Sequence, residues 1–350
     1  TDKEYEWLKE SATEISNIEK SLQTYLSPDY QWNTYKWTLS LSVPLRWTGY
    51  TGVGFSRISV NPSPSIIYKL NYAWRFTVHA SYKERYGEMT DLYDRPYQTD
   101  YRNSVWNCGI LPVYRQQLYS VYGEYKNTAR EFFATVNLTH NREWYNRIYE
   151  QRIENGQVQR VSLPLSNHGS GYTVKSTLSK GFYDLGLKTS LMALLNISKA
   201  EQISGGQRLP YQYRLMRLEP KVIWTPNRHW ETSYQTDIRY GGSKIGERTR
   251  LAPLWNVIQQ VQLSYIFSPI EASLSVDHYH NDVNEDQSVN AVFADFSVSW
   301  KSGRWQITAT ATNLFDKRTY AYTRYASLES YTSWVRIRPR EFLVAIRYRL

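Results

Sequence analysis

The sequence is short of the residues that several protein classes require. It has one cysteine, Cys108, in 350 residues, which excludes an internal disulfide framework and a cysteine-rich metal cage. No segment reaches the roughly 18 consecutive apolar residues of a membrane helix, so a helical membrane protein is excluded. With 17 glycines and 13 prolines, the composition is unlike that of collagen or a low-complexity chain. The chain starts without Met or a signal peptide, and we therefore expect a processed chain or a fragment.

Motifs for enzyme chemistry are missing as well. We find no G-x-S-x-G, H-E-x-x-H or phosphate loop, and neither His79 nor His140 has a recognisable catalytic partner. His278-Tyr279-His280 precedes Asp282 and Asp286; this group could ligate a metal, but a polar strand end is the simpler interpretation. The segment 282–286 also resembles the start of a calcium loop, without the glycine that such a loop needs. We expect no enzymatic activity, no resident metal and no cofactor.

The distribution of charged residues argues against nucleic-acid binding. There are 42 Lys and Arg residues against 32 Asp and Glu residues, a formal net charge of +10. The cations are dispersed along the chain and do not form a basic stripe, which argues against a nucleic-acid partner.

The sequence is rich in segments that alternate between apolar and polar residues. In the segment 37–47, Trp37, Leu39, Leu41, Val43 and Leu45 alternate with small polar residues and Pro44. A period of two is typical of a strand with one apolar and one polar face. Similar rows begin at Trp74, Val261, Ala294, Trp305 and Phe342.

Two kinds of connection alternate between these strands. The short ones are near Asn71–Ala73, Asn127–Thr128, Tyr183–Asp184, Pro226–Arg228, Ser268–Pro269 and Ser302–Gly303. The long polar ones are near 86–114, 149–168, 198–210, 241–252, 281–288 and 316–333. This pattern predicts an antiparallel meander of about fifteen strands, with tight turns at one end and long loops at the other.

The aromatic residues distinguish a membrane barrel from a soluble sandwich. There are 31 Tyr and 13 Trp but only 10 Phe, and Trp or Tyr often stands at the end of an apolar row. Such residues suit the boundary between lipid and water. The rows of about 10 to 12 residues also match tilted membrane strands. The sequence therefore predicts an all-β, transmembrane antiparallel β-barrel whose apolar face meets the outer-membrane lipid and whose polar face encloses the lumen.

Two C-terminal segments carry a family resemblance. The segment Asn313-Leu314-Phe315-Asp316-Lys317 resembles the "N-L-F-D-K" segment of TonB-dependent outer-membrane receptors, which precedes their last extracellular loop. Arg338-Pro339-Arg340 resembles the segment that closes this loop in receptors of Bacteroidota. The final alternating strand, which contains Tyr348 and ends at Leu350, is similar to the family's signal for the barrel-assembly machinery. Leu350 stands where the family usually has an aromatic residue.

The resemblance implies a barrel larger than this chain. Barrels of this transporter class have roughly 22 strands and a plugged lumen, whereas we count about fifteen strands and recognise no plug domain in the chain. We expect residues 1–20 to form an extracellular loop or a short helix, and residues 21–350 to be the C-terminal portion of the barrel. The alternative is a small complete barrel.

The implied function is import of a scarce nutrient, such as a glycan, a peptide or a metal chelate. The implied partners are the TonB complex, through the region this chain lacks, and a surface lipoprotein lid. A passive porin or an adhesin-like barrel is the alternative. Aromatic residues near the long loops are the candidates for ligand stacking, with headgroup anchoring and loop packing as the competing interpretation. These candidates are Tyr86, Tyr93, Tyr97, Tyr101, Trp106, Trp144 and Tyr145.

Overall fold

The computed structural model describes residues 21–50, 54–107, 109–154, 157–246, 249–283, 286–326 and 329–349. The predicted extracellular segment 1–20 and the terminal Leu350 lie outside these residues. The described chain folds into 24 strands, β1 to β24, with short 3-10 turns at Met89–Leu92 and Tyr183–Leu185. None of its helices is long and apolar enough to cross a membrane.

The strands range in length from two residues in β8 to 21 residues in β16. Their bounds are β1 Ser21–Leu26, β2 Asp29–Asn33, β3 Trp37–Ser42, β4 Leu45–Tyr50, β5 Phe55–Val60, β6 Ser63–Lys69, β7 Trp74–Tyr86, β8 Tyr97–Gln98, β9 Asn103–Trp106, β10 Val113–Asn127, β11 Phe132–Tyr145, β12 Ile148–Glu154, β13 Gln157–Leu163, β14 Asn167–Phe182, β15 Leu187–Ser204, β16 Gln207–Asn227, β17 Trp230–Ile245, β18 Thr249–Phe267, β19 Ile270–Asp282, β20 Ser288–Ser302, β21 Trp305–Thr312, β22 Thr319–Ala326, β23 Glu329–Arg336 and β24 Glu341–Tyr348.

Nineteen strands form one sheet, and most of them follow one another in a meander. Four short strands, β8, β9, β12 and β13, belong to the long connections. The other fifteen pair antiparallel in the order β2-β3-β6-β7-β10-β11-β14-β15-β16-β17-β18-β19-β20-β21-β24. Within the described residues, β2 and β24 are the two edges of this order. The prediction of about fifteen strands in a meander is confirmed.

The two ends of the sheet differ as predicted. Tight connections of two to four residues join the strands at one end, while the segments 87–112, 146–166 and 313–340 lie at the other. Short turns face the periplasm and long loops face the outside in outer-membrane barrels.

The predicted loops at 198–210 and 241–252 are wrong, because strands occupy most of these segments. β15 and β16 remain paired up to Ser204 opposite Gln207. The connecting Gly205 and Gly206 have φ angles of 57° and 76°, which suit a tight two-residue hairpin turn. These strand ends extend beyond the apolar rows, so they lack the one-sided alternation on which the sequence prediction depended.

A diagonal line of prolines divides the first strands. Pro28, Pro44 and Pro62 interrupt three consecutive strands, and each proline carbonyl accepts a hydrogen bond from the next strand, at 2.9 to 3.0 Å. Because proline has no N–H to donate, the ladder breaks at this level. Beyond the break, β1, β4 and β5 form a separate three-stranded sheet.

One face of the large sheet is exposed and apolar. Directly opposed residues of antiparallel strands share a face, so the pairings place Val121, Leu138, Val174, Leu195 and Met216 in one row. Their exposed fractions are 48%, 47%, 37%, 37% and 50%. We call the surface that carries this row the outward face. The opposite face carries polar residues and ion pairs.

Aromatic pairs border the outward face. Near the short turns, ring centroids lie 4.3 to 4.8 Å apart in four cross-strand pairs: Trp37–Tyr68, Trp74–Tyr125, Trp230–Tyr265 and Trp305–Tyr348. At the other border, the centroids are 4.6 Å apart for Tyr240–Trp255 and 4.3 Å apart for His140–Tyr172. An apolar band between two aromatic girdles is the outer surface of a transmembrane β-barrel.

Candidate functional site: the extracellular loop sheet

Two long connections fold together outside the barrel wall. β9 pairs parallel to β13 over Asn103–Trp106 and Val158–Val161, and β12 pairs with β13 antiparallel. Together with β8 these strands form what we call the loop sheet. Ile148 of β12 and Val161 of β13 are 1% and 2% exposed, so the loop sheet has a small core of its own. A core of this kind gives an extracellular surface a fixed shape.

Glu150 ties the loop sheet to the hairpin of β15 and β16. β12 lies parallel to β15 where Glu150 meets Ile203. The Glu150 carboxylate accepts a hydrogen bond from the Gly206 backbone N–H at 3.1 Å and forms an ion pair with Arg152 at 2.7 Å. The Glu150 side chain is 9% exposed, and a carboxylate buried this deeply needs such partners.

Tyr149 of β12 lies between two arginines. The Arg160 guanidinium is 3.6 Å from the centroid of the Tyr149 ring, and that of Arg147 is 5.0 Å away. Arg147 also forms an ion pair with Asp91 at 2.9 Å. Burial raises the pKa of the Tyr149 phenol although both arginines oppose the shift. The phenol is therefore neutral at physiological pH and keeps a hydrogen to donate.

The Tyr149 cluster combines guanidinium donors with an aromatic ring. Within the described residues Arg160 takes part in no ion pair, so its guanidinium retains donors for a ligand. Such donors favour carboxylate, phenolate or carbonyl oxygens, and the rings offer surfaces for stacking.

Several predicted ligand residues belong to the loop sheet or lie beside it. The rings of Tyr93 and Tyr97 are 6.1 Å apart, and Tyr97 pairs with Val105 of β9. The Trp106 indole N–H donates to Asp94 at 3.1 Å. Tyr101 is 79% exposed. The structure thus brings Tyr93, Tyr97, Tyr101 and Trp106 to one extracellular region.

The other predicted ligand residues lie apart from this region. Tyr86 packs on Phe55 of β5, with centroids 5.0 Å apart. Tyr145 faces the lumen and packs against Tyr114, with ring centroids 4.8 Å apart. Trp144 is its chain neighbour and faces the opposite way, where it stands across from His168. The structure does not place Trp144 with the loop-sheet residues.

Sequence reasoning missed both arginines of the Tyr149 cluster. Arg147 is a near neighbour of Tyr149 in the chain, but Arg160 reaches the ring only because β12 and β13 form a hairpin with Glu154 opposite Gln157. A signal was available: the intervening Asn155-Gly156 is a favoured two-residue hairpin sequence.

The two family-like segments meet at the base of the last loop. The Asn313 side-chain amide donates to the carbonyls of Lys317 and Arg338, at 2.9 and 2.8 Å, and its oxygen accepts from the Lys317 N–H at 3.0 Å. Asp316 accepts from the Arg340 N–H at 3.0 Å. We call Asn313 and Asp316 the loop clamp.

The backbone explains why these two residue types occupy the clamp. Asn313 and Asp316 have φ angles of 50° and 51°, a left-handed conformation that Asn and Asp tolerate better than most residues. Leu314 and Phe315 form the turn between them, and Phe315 is 57% exposed. Pro339 lies between the two arginines whose backbone reaches the clamp.

The histidine pair of β19 has polar neighbours. His278 lies 3.0 Å from the Gln259 side-chain oxygen, and His280 lies 2.9 Å from that of Asn290. A group of three or more His, Cys, Asp or Glu residues that could hold a metal ion does not occur in the described chain.

The chain is the wall of an outer-membrane β-barrel. No protein-family model matches the sequence, and no curated protein matches it. Among solved structures, the chain is similar to BauA, the ferric preacinetobactin receptor from Acinetobacter baumannii, at 7% identity, over 94% of this chain and 58% of that one, with a TM-score of 0.47.

Two further receptor structures are similar to the chain. One is the siderophore receptor PirA from A. baumannii, at 8% identity over 85% of this chain and 60% of that one, with a TM-score of 0.42. The other is Fiu, the ferric-catecholate import receptor from E. coli K12, at 9% identity over 94% of this chain and 80% of that one, with a TM-score of 0.40. The chain spans about three fifths of the length of BauA and PirA.

Proposed function

We propose that this chain is the C-terminal part of a TonB-dependent outer-membrane receptor of the Bacteroidota type, which imports a scarce nutrient. The observation that carries the proposal is the loop clamp, because it joins the two family-like segments through Asn313 and Asp316. Further strands and a plug would complete the barrel, since such transporters have about 22 strands.

The loop sheet is the proposed site of ligand capture. Tyr149 and Arg160 supply a flat ring, a phenol and free guanidinium donors at its centre. A ligand with an acidic or carbonyl oxygen beside a planar or sugar ring would use all three. Glycans, peptides and metal chelates all include such molecules.

The barrel wall itself does no covalent chemistry in this proposal. Energy from the inner membrane, relayed by TonB to the plug, releases the captured ligand into the periplasm. The lipoprotein lid and the barrel-assembly machinery remain proposed partners, the second through the strand that contains Tyr348.

A nutrient panel tests the proposal. Cells that depend on the receptor are grown with ferric chelates, oligopeptides or oligosaccharides as their only source of iron, nitrogen or carbon. We expect growth on one nutrient to fail on deletion of TonB and to weaken with Tyr149→Ala or Arg160→Gln, while Tyr183→Ala at a periplasmic turn leaves it unchanged. Normal growth of the TonB deletion on every nutrient would contradict the proposal.

A passive porin remains the alternative, and conductance separates it from the receptor. In a planar bilayer, the intact receptor should show no steady open current, because a plug fills the lumen. A constant ohmic current would favour the porin.

A further inference from the structure

The outward face has an uncompensated cationic row directly above its aromatic border. The strand pairings align Arg142, Ser170, Lys199, Gln212 and Lys244 on β11, β14, β15, β16 and β17. Arg142, Lys199 and Lys244 are all exposed, and we call these three residues the cationic row.

The row lies where an outer-leaflet headgroup would be. Two residues closer to the periplasm, the next row begins with Tyr119, His140 and Tyr172, whose rings form a continuous stack. The apolar row that contains Leu138 follows below. From Phe132 at the periplasmic border to Arg142 is ten residues along β11. At about 3.3 Å per residue and a tilt near 40°, this is roughly 25 Å of depth, the height of the apolar band of a barrel.

No carboxylate neutralises the row. Glu201 is the outward acidic residue nearest to it in the register, and it is paired with Arg208. Glu143 lies between Arg142 and Trp144 in the chain but faces the lumen, where Tyr145 and Gln116 donate to it at 3.1 Å each. Within the described residues, the three cations form no ion pair, although Arg142 donates one N–H to His140 at 3.2 Å.

A groove runs along the row. Its volume is about 640 Å³, and its walls include all three cations, Trp144 and His168, together with Glu143 and Glu201. Neighbouring strands are about 4.8 Å apart, so Arg142 and Lys199 are about 10 Å apart, as are Lys199 and Lys244. This spacing allows an extended headgroup to contact more than one cation at once.

We propose that the cationic row binds the phosphorylated headgroup of an outer-leaflet glycolipid of the lipid A type. The phosphates would pair with Arg142, Lys199 and Lys244, the sugars would lie in the groove against Trp144, and the acyl chains would descend over Tyr172 and Val174. The site depends on the membrane placement of the barrel and not on the imported nutrient.

The test compares two triple variants of the intact receptor purified from outer membranes. One is Arg142→Gln/Lys199→Gln/Lys244→Gln. The control is Lys175→Gln/Lys188→Gln/Lys221→Gln, which removes the same number of exposed charges from the lumen side of β14, β15 and β16. Native mass spectrometry counts retained lipid A, and titration with lipid A in detergent micelles gives the affinity.

The outward variant should lose about a hundredfold in affinity, since each cation at an anionic surface contributes about a factor of five, while the control should bind as the wild type does. Wild-type protein should also bind bis-dephosphorylated lipid A about a hundredfold more weakly; this comparison decides the matter even where the outward variant fails to fold. The proposal would be overturned if the outward variant bound lipid A as tightly as the control variant does. It would also be overturned if the wild type bound both forms of lipid A equally. Displacement of lipid A by millimolar inorganic phosphate would likewise overturn it, because the row would then be a site for the free ion.

Discussion

Replacement of Asn313 should open the base of the last extracellular loop. The 6% exposed Asn313 makes three side-chain hydrogen bonds that join residues 313, 317 and 338. At about 1 kcal/mol each, these contribute about 3 kcal/mol. Asn313→Ala also forces alanine into a left-handed backbone at a cost of about 1 kcal/mol. The expected loss is about 4 kcal/mol, which is up to roughly a thousandfold in the opening equilibrium of the loop base.

Hydrogen exchange of the backbone amides of Lys317 and Arg340 measures this opening. Two further substitutions separate the causes. Asn313→Gly accepts the left-handed backbone and loses only the bonds, so its loss should be about 3 kcal/mol. Asn313→Asp keeps the acceptor for the Lys317 N–H but turns a carboxylate oxygen towards the carbonyls of Lys317 and Arg338, so its loss should exceed about 2 kcal/mol. Phe315→Ala, on an exposed neighbour, is the control. Wild-type protection in Asn313→Gly would refute the hydrogen-bond account.

Three other predictions concern the wall, the loop sheet and pH. Leu138→Arg, near the middle of the outward face, should destabilise the barrel by about 2 to 4 kcal/mol in liposome unfolding, whereas lumen-side Asn137→Arg should cost far less. Glu150→Ala should speed exchange of the Gly206 amide about tenfold or more, and Glu150→Gln, which keeps an acceptor, should do so less. The Arg318 side chain and the Arg340 N–H lower the pKa of Asp316 below its ordinary 3.8. The backbone amides of the loop clamp should therefore keep their full protection from hydrogen exchange down to a pH near the ordinary pKa of 3.8, and lose it only as the pH falls further. Loss of protection at neutral pH would contradict this prediction.

The sequence alone was sufficient to predict the strands that cross the membrane. β7 begins at Trp74 and β21 at Trp305, where the apolar rows begin. Because one face of these segments meets lipid, apolar and polar residues alternate along them. This period of two indicates a strand directly. The tight turns were recognisable for the same reason, since each falls between two such rows.

The parts that project beyond the membrane were not predictable in this way. The outer ends of β15 and β16 are polar on both faces, because water or other loops lie on either side. The parallel pairing of β9 with β13 joins segments more than 50 residues apart, and no local pattern reports a contact of that range. The sequence motifs included Asn313 and Arg340 but did not show that a clamp brings them together.

The sequence likewise predicted only some residues of the candidate ligand site. Aromatic content pointed to Tyr93, Tyr97 and Trp106 because their loop is long and rich in tyrosine. Arg160 was missed, since its role depends on the position of the Tyr149 ring across a hairpin. Trp144 was grouped with Tyr145 although adjacent residues of a strand face opposite sides.

The proposed function requires that the apolar face of the wall, and not the polar face, meets lipid. Single cysteines introduced into a Cys108→Ser background, in the protein reconstituted in liposomes, test this directly. Cysteines at Leu138, Val174 and Leu195 should resist a water-soluble maleimide, and fluorophores placed there should be quenched by brominated lipid. Cysteines at the neighbouring lumen positions Asn137, Lys175 and Asn196 should give the opposite result in quenching. Lipid quenching at the lumen positions, with none at the outward ones, would contradict the assignment of the faces and the import function with it.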